Sequence, residues 1–272
     1  MAARLTKSEW IAEKNDEKKA LEVKLDSFLN EALTSTDGMD ALMAHYKISG
    51  LYGYSLFNSI MIHFQGGTIA QSYAKWEKLG RKVIKGEHGN IKVYVPMFKR
   101  ERNVVTGKDE QVLIGFKLGP VFDIKQTDGK ALEYDHNSQD DAEVDYASVK
   151  DVITALVGVP VVEAYTGTAR GFTDGKTLTI SSMSNDVDKA KTLFHETAHH
   201  LMHTGKDAEK INLSPATKEV EAEAVSHLVC SYLGYEYDLS VAYVANWKAG
   251  IGTIRTKKVI ATADKIIKSL KG

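Results

Sequence analysis

The chain has 272 residues, with 35 Lys and Arg against 36 Asp and Glu, 43% hydrophobic and 26% charged residues. These are the values of an ordinary globular protein with one large core or two modest ones, and a net charge of −1 selects no partner by bulk charge. The single cysteine, Cys230, excludes an intrachain disulfide and a thiolate-rich metal site, so any metal must be held by His and carboxylates.

In chain order, residues 7–47 place Trp10, Leu21, Leu25, Phe28, Leu29, Leu33, Leu42 and Met43 at helical spacing among charged residues, with a break at Thr36-Asp37-Gly38. Ser55–Phe64 reads as a more apolar helix ending at Gly66-Gly67. Residues 83–124 change texture. Ile91–Val95, Val112–Lys117 and Val121–Ile124 are rich in β-branched and aromatic residues, and the first two flank a turn at Thr106-Gly107-Lys108, as in a long hairpin. Residues 131–146 are acidic and poor in large apolar side chains, and are read as a linker. Beyond it the pattern predicts a helix over Tyr146–Leu156, a strand over Val159–Ala164, and a hairpin over Gly171–Ser181 turning at Asp174-Gly175. Helices are predicted over Lys189–His203, Thr217–Leu233 and Lys257–Leu270. Met1–Trp10 holds no apolar core of signal-peptide length and no apolar run reaches 18 residues, so a cytoplasmic protein with no membrane partner is expected.

His195-Glu196-Thr197-Ala198-His199 is an HExxH motif on a predicted amphipathic helix. Imidazoles four residues apart share one helix face and can bind one Zn²⁺, with Glu196 in reach of the attacking water as general base. A third protein ligand is needed. Glu219, Glu221 and Glu223 lie on one predicted helix, Glu219 and Glu223 on one side and Glu221 about 200° around. That leaves either the Glu219/Glu223 pair or Glu221 facing the metal. The hairpin before the HExxH helix fits an edge strand that an extended peptide could join.

A second constellation lies upstream. Residues 71–117 hold 11 Lys and Arg against 5 Asp and Glu, a local net of +6 that leaves −7 elsewhere. Interleaved with these cations are Tyr73, Trp76, Tyr94 and Phe98. A groove for single-stranded nucleic acid needs such a mixture, cations for phosphates and flat rings for bases.

The C-terminal half resembles the zincin-like metallopeptidase domain of ArdC-type antirestriction proteins and related phage polyvalent proteins. The matching residues are FHETAHHLMH at 194–203, KEVEAEAVSHLVCSYLGY at 218–235 and VAYVANW at 241–247. The N-terminal half resembles the ArdC-type single-stranded-DNA-binding domain, in Tyr54–Asn58, in Trp76–Val83 with Lys85-Gly86-Glu87, and in Val121–Thr127. The resemblance implies an α+β fold of two domains: a helical and antiparallel-strand DNA-binding domain over residues 1–130, and a mainly helical gluzincin-like domain with a small sheet over 147–272. It implies Zn²⁺ on His195, His199 and Glu219, with Glu223 orienting a ligating histidine, although Glu stands where gluzincins carry Asp and the two roles could be exchanged. For DNA it points to Asn58, Trp76, Lys78, Arg81, Lys82 and Lys85. The implied function is antirestriction on phage or plasmid DNA, with hydrolysis of an unidentified protein or peptide. The alternatives are a non-catalytic DNA protector with a structural zinc site, and an ImmA/IrrE-like peptidase that cleaves a repressor.

Overall fold

The computed structural model describes residues 6–102, 107–132, 145–204 and 212–272. Helix α1 (Lys7–Ala32) begins at a capping box between Thr6 and Glu9. Helix α2 (Thr36–Gly50) begins at Ser35, whose hydroxyl accepts from the Gly38 N–H, so the break expected at Thr36–Gly38 is the first turn of a new helix. Helix α3 (Leu56–Phe64) is capped in the same way by Ser55.

A strand-rich unit follows, comprising β1 (Ala70–Gln71), α4 (Tyr73–Lys78), β2 (Arg81–Val83), β3 (Ile91–Arg102), β4 (Asp109–Asp123) and β5 (Thr127–Gly129). Strands β3 and β4 form one long antiparallel hairpin with β1 on the far side of β4, while β2 pairs with β5. The two short strands predicted within 112–124 are one continuous strand. Its register slips by one residue between Met97 and Phe98, opposite Gly115, whose φ of +148° is open only to glycine. Thr106 of the expected turn, and 133–144 of the expected linker, lie outside the described residues.

The C-terminal part is mainly helical: α5 (Tyr146–Val157), α6 (Asp186–His203), α7 (Pro215–Leu233), α8 (Val241–Gly250) and α9 (Thr256–Lys271). Helix α8 covers the VAYVANW segment of the C-terminal resemblance, for which the residue pattern alone predicts no helix. The small sheet has the order β6-β8-β7, from β6 (Val161–Ala164), β7 (Gly171–Thr173) and β8 (Leu178–Ser181). Strand β7 pairs antiparallel with β8 as a hairpin, and β6 runs parallel to β8, so this sheet is mixed and β7 is an edge.

The main core does not follow the division drawn at residues 130 and 147. Leu25, Leu29, Leu33, Met39, Leu42 and Leu56 belong to the same buried cluster as Val225, Leu228, Trp247 and Ile267. A smaller cluster of Ile62, Ala70, Ile91, Val93 and Val121 underlies the β unit. The physical reason is the pattern of α2 and α3. Both bury broad apolar faces for which the thin β unit offers too little cover, and α7 and α9 supply it. Polar ties cross the same seam. Tyr243 donates its hydroxyl to the Leu33 carbonyl at 2.7 Å, and Asp264 accepts from Tyr46 Oη at 2.8 Å and from the buried Leu56 N–H at 3.0 Å.

Asp264→Ala leaves both of those donors unpaired, so the expected loss of stability is on the order of 3 kcal/mol. Denaturant melts followed separately by an N-terminal and a C-terminal probe should shift together. A shift confined to one probe would show that the two halves unfold independently.

Candidate metal centre and nucleic-acid face

Helix α6 starts at Asn185, which accepts from the Asp188 N–H, with Asp186 and Asp188 in the positive first turn. Ala190, Leu193, Phe194, Ala198 and Met202 bury one face. The flank of that face carries His195 and His199, whose Nε2 atoms lie 3.0 Å apart. Helix α7 starts at Ser214 with Pro215 in its first turn. It is tied to α6 by Ser226, whose hydroxyl donates to the Lys191 carbonyl at 3.0 Å. This crossing brings the Glu219 carboxylate to 3.4 Å from His195 Nε2 and 3.3 Å from His199 Nε2. Two imidazole Nε2 atoms and a carboxylate thus converge on one point, an arrangement that could hold a metal ion.

Glu196 lies beside them, 7% exposed. Burial raises its pKa above the usual carboxylate range, whereas contacts from His195 and then His199 hold Glu219 well below it. Two neighbouring carboxyls are thus pushed in opposite directions by burial and by charge. The residues open onto a cleft of about 970 Å³, one wall of which is the edge strand β7. Gly171 allows that strand to come so near. A Cβ there would stand 2.7 Å from Thr192 Cγ2, 2.9 Å from the Thr179 carbonyl and 3.3 Å from Glu196 Cγ.

The other two glutamates depart from expectation. Glu223 accepts from the N–H and hydroxyl of Ser240 at the start of α8, where the sequence reading had it orient a histidine. Glu221, on the opposite side of the helix, is fully buried and meets His203 Nε2 at 2.9 Å, while His203 Nδ1 lies 3.0 Å from His199 Nδ1. Arg255 closes the cluster, giving Glu221 its backbone N–H at 2.7 Å and Nη2 at 2.6 Å. Burial alone would raise the Glu221 pKa, but hydrogen bonds from His203 and Arg255 outweigh it and hold the group at about 2. His203 and Arg255 escaped the sequence reading. His203 did leave a signal, since it repeats the four-residue spacing of HExxH, but Arg255 lies 34 residues from Glu221 and left none.

Of the six residues expected to meet DNA, three are spent on the fold. Trp76 is fully buried and its indole N–H donates to the Phe122 carbonyl at 2.8 Å, so neither ring face is free to stack on a base. Asn58 gives and takes 2.9 Å bonds with the backbone of Tyr94. Arg81 donates to the Thr127 hydroxyl and carbonyl at 2.8 and 2.9 Å, pinning β2 to β5. Lys78, Lys82 and Lys85 are exposed, and Tyr73 is the exposed aromatic nearest to them in sequence.

Residues 155–233 match the Peptidase_M78 family, described as the IrrE N-terminal-like domain. Among solved structures, the chain is similar to the metal-free antirestriction protein ArdC from the R388 plasmid. Identity is 21%, covering 80% of this chain and 82% of that one, with a TM-score of 0.45. The Mn(II)-bound form of the same protein is 19% identical over 80% and 85% of the two chains, with a TM-score of 0.43. No curated protein matches the sequence. Among the described residues, no helix is long and apolar enough to cross a membrane.

Glu221 makes a prediction about pH. Its folded pKa of about 2 lies below the ordinary 4.5, so its stabilising contribution is complete above pH 4.5 and disappears as the pH falls towards 2. Glu221→Gln leaves Arg255 facing a neutral amide and should cost on the order of 3 kcal/mol at pH 7. Denaturant melts of both proteins over this range should show the gap closing as the pH falls, and a gap independent of pH would refute the ionised pair.

Proposed function

We propose that the chain is an ArdC-like antirestriction protein that binds single-stranded DNA and hydrolyses a protein or peptide at a zinc centre formed by His195, His199 and Glu219. The observation that carries this reading is the convergence of those three side chains beside a buried Glu196 in an open cleft. A two-histidine, one-carboxylate donor set suits zinc. When bound, zinc supplies Lewis acidity to the attacking water and the scissile carbonyl. Glu196 takes the proton of that water and delivers it to the leaving amine nitrogen. Strand β7 aligns the substrate, an extended segment pairing with its free edge beside Glu196.

A purely structural zinc site is closed by four protein ligands. Among the described residues three such groups meet, and the Glu219 side chain is 62% exposed, which favours the catalytic reading. The match of residues 155–233 to the IrrE N-terminal-like domain supports a second reading, in which the substrate is a DNA-bound regulator and the DNA-binding face delivers the peptidase to it. For DNA, the support is the local +6 of residues 71–117 together with exposed Lys78, Lys82 and Lys85.

The purified protein should hold about one zinc per chain. His199→Ala should abolish that binding, whereas Glu196→Ala should keep the metal and lose hydrolysis of a fluorogenic peptide library. Metal analysis and peptide assays on the same preparations check this, and a wild type without stoichiometric metal would reject the zinc reading. Replacing Lys78, Lys82 and Lys85 together by Ala should weaken single-strand binding and flatten the slope of log affinity against log salt by about 2, at roughly 0.7 per lost contact. The melting temperature should hold. An unchanged slope would remove these lysines from the interface.

A further inference from the structure

Metal binding through Nε2 of a histidine requires that its proton sit on Nδ1, and an unconstrained imidazole prefers the opposite tautomer. Ligating histidines are therefore usually held by an acceptor at the far nitrogen. At His199 that acceptor is another imidazole, His203 Nδ1 at 3.0 Å. His203 can accept there only if its own proton is on Nε2, and this atom faces the Glu221 carboxylate at 2.9 Å. Glu221, ionised, has only acceptors to offer. Its remaining lone pairs are taken by the Arg255 backbone N–H, Nε and Nη2 at 2.6 to 3.2 Å, and Arg255 Nη2 also reaches the Met202 carbonyl at 3.3 Å. Each proton direction along the chain follows from the one before it, starting at a guanidinium that can only donate.

We propose that Arg255, Glu221 and His203 form a positioning chain that fixes His199 as its Nδ1–H tautomer, leaving the Nε2 lone pair aimed at the point shared with His195 and Glu219. The proposal rests on the metal-site reading above for its purpose; without the ion, His199 Nε2 faces His195 Nε2 at 3.0 Å and the Glu219 carboxylate at 3.3 Å, and the same His199 tautomer requires that His195 be the donor there. None of the three positioning residues touches the reacting atoms. They replace the direct carboxylate-to-histidine contact that Glu223 had been expected to provide, one imidazole further out.

The tautomer is measurable directly. In the full chain stripped of metal and labelled with ¹⁵N-histidine, long-range nitrogen–proton correlation spectra should show His199 protonated at Nδ1 and His203 at Nε2, assigned by loss of signal in single variants. A His199 protonated at Nε2 in the wild type overturns the proposal, whatever the variants do. The variants then separate positioning from packing. Asn places its side-chain oxygen near the imidazole Nδ1, so His203→Asn keeps an acceptor for His199, whereas His203→Leu fills the space without one. Against a competing chelator, His203→Leu should bind Zn²⁺ about 10- to 100-fold more weakly, and His203→Asn should lose less than about tenfold. Equal loss in the two variants, or wild-type affinity in His203→Leu, rejects the chain as a positioning device. If the wild type binds no zinc at all, the metal reading fails, while the His199 tautomer still decides this one.

Discussion

The Glu221 carboxylate sits without solvent contact among three elements: α7, which carries it, α6 through His203, and the start of α9 through Arg255. A buried ion pair contributes little when compared with well-packed apolar residues, yet removing one partner leaves a charge that nothing can solvate. The energetic role of such a cluster is therefore to penalise wrong arrangements. If α6 slides along α7 by one turn, Glu221 loses His203 and Arg255 loses the Met202 carbonyl together. The same slide would carry His195 and His199 away from Glu219. One buried carboxylate thus fixes the register on which the convergence of the three candidate ligands depends, from the side of the helix that the cleft never sees.

How much of this was readable from residues alone differed by scale. The HExxH pair was legible because its two histidines lie at a fixed angle on one helix, and helix periodicity survives in one dimension, whereas Glu219 was singled out only by the resemblance. The choice among Glu219, Glu221 and Glu223 was harder, because it depends on how two helices cross. All three carboxylates were plausible on one helix, and two of them touch α6 from different sides, which a single-face argument did not allow. Trp76, Asn58 and Arg81 show a related difference between residue type and fold. Composition treats an aromatic or a cation as available, whereas the fold uses Trp76 to bind the Phe122 carbonyl, Asn58 to splint Tyr94, and Arg81 to pin Thr127. Gln126 completes the pattern by reaching Glu87 and the His88 carbonyl. The later segments that carried the N-terminal resemblance, Trp76–Glu87 and Val121–Thr127, thus fasten one another. Their spacing reflects architecture first, leaving the exposed lysines beside them as the surface available to a nucleic acid.

The Cys230 thiol illustrates the same distinction between residue type and environment. It is wholly buried, and burial pushes its pKa up to about 12, so it packs as a small apolar side chain. The zincin-like reading needs no thiolate, and the site is composed of imidazole and carboxylate throughout.

Sharing one core between the two ends of the chain has a cost in time. Tyr46 and Asp264 are 218 residues apart and Leu56 and Asp264 are 208 apart, so these contacts close loops that encompass most of the polypeptide. During synthesis α2 and α3 emerge long before α7 and α9, with Met39, Leu42, Met43 and Ile60 still uncovered. Long-range closures of this kind slow folding and prolong the exposure of apolar surface. The nascent chain therefore passes through a vulnerable interval that ends only when α9 docks, and the candidate metal cleft, which lies against that same core, cannot mature before then.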